Sequence, residues 1–331
     1  MAHFIPTRPR FTLLFLVFIL GWIIPPAQSM TVLKDQSKTR VSSRTSSQPK
    51  SVRTFGRHRD ISSVKQRVRS YAGAGAPFRL KFISAKSIIV MDAVSGKTLF
   101  SRSPDTPRQP ASTIKVLTGM IAIDMLRNQE KVAVSRKAAK QPRSKVYLDP
   151  RKTYLANDLI NAVLLASAND ASVAIAEKIA GTEKSFARMM TEQARRLGAN
   201  NTVCKTASGL TARGQKTTAR DLAKIFRLAM KNKEFANRMK KTKIHTAEGK
   251  LLRNHNKALW QIDGALAGKT GYTNAARQTY VGKFKRGNDE IIIAIMGSET
   301  MWTDIKKLVS YGFSAKERTA SLPSQTAENN S

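Results

Sequence analysis

Ser112 and Lys115 stand three residues apart in the run Pro110-Ala111-Ser112-Thr113-Ile114-Lys115. On a helix that spacing puts hydroxyl and amine on one face, about a turn apart. A serine hydroxyl is a weak nucleophile until a base takes its proton, and a lysine made neutral by burial or by neighbouring cations can be that base. Lys115 would then start uncharged. Pro110 and the apolar residues Val116, Leu117, Met120, Ile121, Ile123 and Leu126 place Ser112 at the start of that helix, where free backbone N–H groups favour developing negative charge. The pair reads as an activated serine nucleophile.

Spacing alone does not single out one pair, since Ser47 with Lys50 and Ser62 with Lys65 repeat it in polar sequence. Two further motifs follow in order: Ser167-Ala168-Asn169 and Lys269-Thr270-Gly271. Taken singly, each has a structural reading. Ser167, Asn169 and Asp170 are natural caps between the helical patterns 154–166 and 171–180. Lys269-Thr270-Gly271 reads equally as a strand end turning at glycine, and Lys-Thr recurs at Lys97, Lys152 and Lys216. Other chemistries lack their residues. Of four histidines only His245, on an expected strand, and His255, in an expected loop, fall where a folded site would form, and no Gly-x-Ser-x-Gly elbow appears. Cys204 is the only cysteine and no His-Glu-x-x-His is present, so neither a metal site nor a cofactor is expected.

Order and context favour catalysis. Together the three motifs resemble the penicillin-recognising serine enzymes, and more narrowly the serine-type D-alanyl-D-alanine carboxypeptidases among the low-molecular-mass penicillin-binding proteins. The likeness runs from about Ser84 to Phe313. Ile88-Ile89-Val90-Met91-Asp92 with the Ser95-Gly96-Lys97 turn and Leu99-Phe100 resembles the opening hairpin. Ala207-Ser208-Gly209-Leu210 before Thr217-Thr218-Ala219-Arg220-Asp221-Leu222-Ala223 resembles the glycine-leucine turn and its helix. Asp263-Gly264 and Tyr272-Thr273-Asn274-Ala275-Ala276 flank the third motif as in that family.

Carried over, the resemblance implies that Ser112 attacks the penultimate D-alanine carbonyl of a peptidoglycan stem peptide while Lys115 takes its proton. Ser167 and Asn169 would support proton transfer to the leaving D-alanine and hold the peptide. Lys269, Thr270 and Thr273 would bind the terminal carboxylate beside Gly271, with the Ser112 and Tyr272 N–H groups as oxyanion hole. β-Lactams would acylate the same serine. Two positions depart from the family pattern. Ala168 replaces a usual glycine and fits only if the backbone angle is not one reserved for glycine. Arg277 stands where a small residue is common and would crowd the space beyond the scissile bond. With Lys269 and its neighbouring hydroxyls suited to the full charge of a free terminal carboxylate, that favours a carboxypeptidase over a D,D-endopeptidase acting on cross-linked stems. A β-lactamase would want a Glu-x-x-Leu-Asn segment that Glu177, Glu183 and Glu192 do not supply, and a non-catalytic wall-binding protein need not keep all four polar residues.

The elements that must position these groups read as hairpin, nucleophile helix, several helices through Lys240, strands near 242–247, 265–271, 278–285 and 290–297, and a final helix near 302–312. Thr218 with Asp221 reads as a helix start, Gly198 as a helix stop, and Cys204 as packed on a strand. Both ends of this segment feed one sheet. The expected class is α+β, an antiparallel sheet flanked by helices with a helical cluster, as in the β-lactamase and transpeptidase fold.

Residues 1–29 read as a signal peptide or an uncleaved anchor: Arg8 and Arg10 precede fourteen mostly apolar residues, Phe11 to Ile24. That run falls short of the roughly 20 residues a comfortable span takes. Residues 30–76 read as a disordered basic linker, 77–315 as the peptidase domain and 316–331 as a polar tail. The chain carries a formal charge of +36, most of it outside the linker. Behind an export signal such a field favours anionic envelope polymers or a membrane surface over nucleic acid as partner. The expected address is the periplasm or cell envelope.

Overall fold

The computed structural model describes residues 82–320; the expected signal segment and linker lie outside them. Strands β1 (Ser87–Asp92) and β2 (Thr98–Arg102) form the expected hairpin. Its turn is tied by Asp92, whose Oδ1 accepts hydrogen bonds from the backbone N–H groups of Val94 and Ser95. A 3₁₀ turn (Ala111–Ile114) leads into α1 (Lys115–Met125). Then come β3 (Lys131–Ala133), α2 (Arg136–Ala139), β4 (Thr153–Leu155), α3 (Ala156–Leu164), α4 (Asn169–Ala180) and α5 (Glu183–Arg196). Next in order are α6 (Ala219–Ala229), α7 (Lys233–Met239), β5 (Lys243–His245), β6 (Leu251–Arg253) and α8 (Ala258–Gln261). The chain closes with β7 (Ala265–Thr273), β8 (Arg277–Arg286), β9 (Asp289–Ser298) and α9 (Met301–Ala320).

The main sheet is antiparallel and runs β2-β1-β9-β8-β7, so the first hairpin pairs with the last strand and β7 is an edge. Successive side chains on a strand point to opposite faces, which explains why β1 and β9 are apolar without alternation. Ile88, Val90, Ile291, Ile293 and Ile295 pack on α9 through Ile305, Leu308, Val309 and Phe313. Ile89, Met91, Ile292, Ala294 and Met296 face a larger core shared with α1, α3, α4 and α6. Helices therefore cover both faces of the sheet.

Local signals fixed several boundaries. Thr218 caps α6 by accepting from the N–H of Asp221, and Gly198, with φ 73°, follows the end of α5. The strand expected through Cys204 is a single bridge between Val203 and Lys216. Gln215 supplies the reason: its Oε1 accepts from the N–H groups of Lys205 and Thr206, replacing a ladder. Cys204 is buried, and burial pushes its thiol up to about 12, so packing is its role. The last helix runs to Ala320, eight residues past the expected end, because Lys316 reaches the carboxylates of Asp92 and Asp289 at the end of the sheet. No helix among the described residues is long and apolar enough to cross a membrane.

Candidate active site

Ser112 sits in the 3₁₀ turn and not at a capped α-helix start: Pro110 takes the cap position with no side-chain cap bond. In a 3₁₀ turn residues i and i+3 eclipse, which brings Lys115 beneath Ser112 with Nζ 2.9 Å from Oγ. Thr279 Oγ1 on β8 donates to Pro110 O at 3.0 Å, fixing the turn to the sheet. Ala111 is held at φ 48°, an uncommon backbone state for a residue with a side chain.

Lys115 is fully buried. Its Nζ also lies 2.7 Å from Asn169 Oδ1 and 2.7 Å from the carbonyl of Ser208, both acceptors. The orientation of the Asn169 amide is fixed because Nδ2 donates to the carbonyls of Pro142 and Arg143. Burial pushes Lys115 well below the usual lysine range, and the nearby Lys269 cation pushes it further, against an opposing pull from Asp170. A neutral amine has two donors and one lone pair. Asn169 and Ser208 take the two donors, so the lone pair is left for the Ser112 hydroxyl.

The capping reading of the second motif fails. Ala168 occupies the cap of α4 with no side-chain cap bond, and Ser167, at φ 58°, turns its hydroxyl to Lys269 Nζ at 2.8 Å. Ala168 itself has φ −65° and ψ 119°, so alanine fits where glycine is usual. Asp170 is buried and accepts from the N–H groups of Val146 and Leu148, which clamps the 142–148 loop as a wall of the site. Lys269 on edge strand β7 is buried to 2 % exposure, and desolvation lowers it to about 7.

Ser112, Ser167, Asn169, Thr270, Gly271, Tyr272 and Thr273 line one cleft of about 450 Å³, with Lys115 and Lys269 buried behind its wall. Two glycines let its walls close. A side chain at Gly271 would put Cβ 2.7 Å from the Ser112 nitrogen. Gly209 adopts φ 78° and crosses Ala111 so closely that a Cβ would lie 2.0 Å from its carbonyl oxygen. Gly209→Ala is therefore expected to lower stability by about 2–4 kcal/mol and to slow acylation of Ser112, read by thermal melting and by labelling kinetics. An unchanged melting temperature would contradict this account of the crossing.

Three participants were silent in the sequence. The Ser208 carbonyl is backbone and carries no residue signal. The Pro142 and Arg143 carbonyls orient Asn169 for the same reason unseen. His255 lies in the loop expected for it, but that loop borders the cleft; local burial, then the charges of Lys269 and Lys115, hold the imidazole down to about 4. His245 stays on β5, away from the cleft. Arg277 does not line the cleft, contrary to the crowding expected of it, because its guanidinium pairs with Glu299.

A sequence model of the peptidase S11 D-alanyl-D-alanine carboxypeptidases matches residues 74–300. The chain belongs to this family. It is 36% identical over 240 residues to D-alanyl-D-alanine carboxypeptidase DacB2 of Mycobacterium tuberculosis, covering 69% of this chain and 82% of that protein. It is 30% identical to DacF of Bacillus subtilis over 70% of this chain, and spans only 63% of that longer relative. Penicillin-binding protein D2 of Listeria monocytogenes, solved in its cefotaxime-bound form, superposes with a TM-score of 0.64 at 27% identity, over 70% of this chain and 98% of that one. As a peptidase S11 protein it is a homologue of the penicillin-binding proteins, and its three motifs meet in the cleft of an α+β fold shared with them.

Proposed function

We propose that this chain is a serine D-alanyl-D-alanine carboxypeptidase that removes the terminal D-alanine from peptidoglycan stem pentapeptides through an acyl-enzyme on Ser112. The observation that carries this reading is the arrangement around Lys115, whose donors are occupied by Asn169 Oδ1 and Ser208 O at 2.7 Å each while Ser112 Oγ lies at 2.9 Å. Lys115 removes the hydroxyl proton as Ser112 attacks the penultimate carbonyl. The N–H groups of Ser112 and Tyr272 stabilise the oxyanion, each worth about 2.7–4 kcal/mol. Ser167, hydrogen-bonded to Lys269, gives its hydroxyl proton to the leaving amine and takes up in its place the proton that Lys115 removed from Ser112. Lys269, with the hydroxyls of Thr270 and Thr273, holds the terminal carboxylate. Asn169 and Gly271 complete the wall along the peptide. Water then hydrolyses the ester.

None of the described side chains lining the cleft is a carboxylate, so a β-lactam acyl-enzyme lacks the base a β-lactamase would use. Labelled penicillin is expected to acylate Ser112, identified by mass spectrometry of the digested adduct, and to persist there. A label on Ser167 with Ser112 unmodified would remove the nucleophile assignment. The sequence of residues 1–29 supports export to the periplasm or cell envelope, and the basic residues of 30–76 support retention by anionic envelope polymers or the membrane surface.

A further inference from the structure

The helical half carries a polar groove of about 410 Å³ that shares no lining residue with the Ser112 cleft. It lies at the opposite ends of two helices from the nucleophile. Asn128 follows the C-terminus of α1, whose 11 residues span about 16 Å, and Asn157 and Asn161 stand in the first half of α3, whose other end leads to Ser167. Its anchor is Arg238 on α7, only 7% exposed. The Arg238 Nη1 group donates to Asn157 Oδ1 at 2.9 Å and Asn161 Oδ1 at 2.7 Å, and Nη2 to Asn128 Oδ1 at 2.7 Å and Glu234 Oε1 at 2.5 Å. An amide whose oxygen is fixed has its NH₂ group fixed as well.

Those amide donors are not all used. Asn157 Nδ2 donates to Asp158 Oδ1 at 3.3 Å, whereas Asn128 Nδ2 and Asn161 Nδ2 make no hydrogen bond among the described residues. Asn161 is only 2% exposed, and a donor on so deeply buried a side chain is costly unless something accepts from it. The groove is where that acceptor must come from. Its rim adds acceptors of its own, the Oε2 of Glu234 and the amide of Asn237. Charge does not select an ion here. Arg238 and Lys241 are offset by Glu234 and by Asp124, whose carboxyl is pushed up by burial and by the nearby Glu234 charge. Ile244 supplies an apolar patch. Preset amide donors, acceptors beside them and balanced charge suit a neutral ligand that both accepts and donates.

We propose that this groove is a saccharide site, separate from the catalytic cleft, that holds an N-acetylated amino sugar by its acetamido group. The acetamido carbonyl accepts from the Asn161 and Asn128 amides, its N–H and a ring hydroxyl donate to Glu234 and Asn237, and its methyl group lies on Ile244. A plain hexose offers no such carbonyl, and a phosphate or carboxylate would meet Glu234 as a like charge. The site stands on the residues of the groove and does not depend on the chemistry at Ser112. Sugars of this class carry the stem peptides of the proposed substrate, so a filled groove keeps the chain on the glycan strand and raises the local concentration of stems.

The test uses the purified chain and N,N′,N″-triacetylchitotriose, followed by calorimetry and by the asparagine side-chain amide signals in NMR. Saturable binding that shifts those signals is expected, with cellotriose, which lacks the acetamido groups, at least about tenfold weaker. Asn161→Asp keeps the oxygen that Arg238 needs and turns the donor into an acceptor. Asn237→Ala removes an exposed amide that makes no side-chain hydrogen bond among the described residues. Each is expected to weaken binding by about tenfold, the scale of one lost hydrogen bond, while penicillin acylation of Ser112 stays within about twofold of wild type. Should Asn161→Asp lose acylation and so fail to fold, Asn237→Ala decides alone. No saturable binding to the wild type, undiminished binding to Asn237→Ala, equal binding of cellotriose, or displacement of the sugar by inorganic phosphate would each overturn the site. A wild type that binds the trisaccharide but is not acylated would lose the carboxypeptidase reading and keep this one.

Discussion

Lys115→Ala is expected to slow acylation of Ser112 by labelled penicillin by about a thousandfold, within the range measured for loss of a positioned general base. The variant should remain folded, although Asn169 Oδ1 and Ser208 O lose their donor, at about 1–3 kcal/mol for each buried acceptor left unpaired. Relief from burying an amine offsets part of that cost, so circular dichroism and a melting curve accompany the kinetics. Lys115→Arg adds a sharper comparison. A guanidinium keeps its protons at every accessible pH and so offers no lone pair to the hydroxyl. It should be as inactive as the alanine variant, although it retains a cation. An arginine variant that acylates at the wild-type rate would require another base.

The pH profile carries the second large effect. Lys115 must be neutral to accept a proton, so activity rises as pH climbs through its depressed range. Lys269 must be charged to hold a carboxylate, so capture falls as pH rises past about 7. The product is a bell-shaped kcat/KM, whose two limbs belong to a coupled pair of lysines and not to either alone. Bound carboxylate favours the Lys269 cation, so the alkaline limb of kcat should lie above that of kcat/KM. In Lys269→Ala the alkaline limb should vanish, and kcat/KM should fall by about a hundredfold for loss of a buried charged partner. The acid limb should move to higher pH, because the charge that helps depress Lys115 is gone. An acid limb that stays in place would show that burial alone sets Lys115.

The fold was legible wherever side chains alone determine local structure. The apolar runs of β1 and β9, the Thr218 cap and the stop at Gly198 are written in residue types. The end of α9 was not, because Lys316 extends it through carboxylates more than two hundred residues away in one case, at Asp92. The site divides in the same way. Ser112, Lys115, Ser167, Asn169 and Lys269 could be named, since each is a side chain in one of three ordered motifs, and those side chains contact one another. What helps turn the Lys115 lone pair toward Ser112 is a backbone carbonyl at Ser208, and what aims Asn169 is a pair of carbonyls at Pro142 and Arg143. Such groups exist at every residue and leave no mark in a sequence. The crowding read for Arg277 fails because its partner Glu299 lies just past the end of β9, distant in sequence.

The pairing of β1 with β9 has a bearing on how the molecule comes into being. Ser84 Oγ accepts a hydrogen bond from the Glu299 N–H, 215 residues along the chain, and on the edge of β1 away from β2 the whole register from Ser87 to Asp92 is matched by residues 291–296. Closing so long a loop is entropically costly before any contact rewards it, and folds dominated by such distant pairings assemble slowly. The helical half, built from neighbours in sequence, can form early. The edge strand that carries Lys269 gains its place only when the final strand has docked. Penicillin labelling during refolding should therefore lag behind the recovery of helical signal, with the cleft the last part of the molecule to mature.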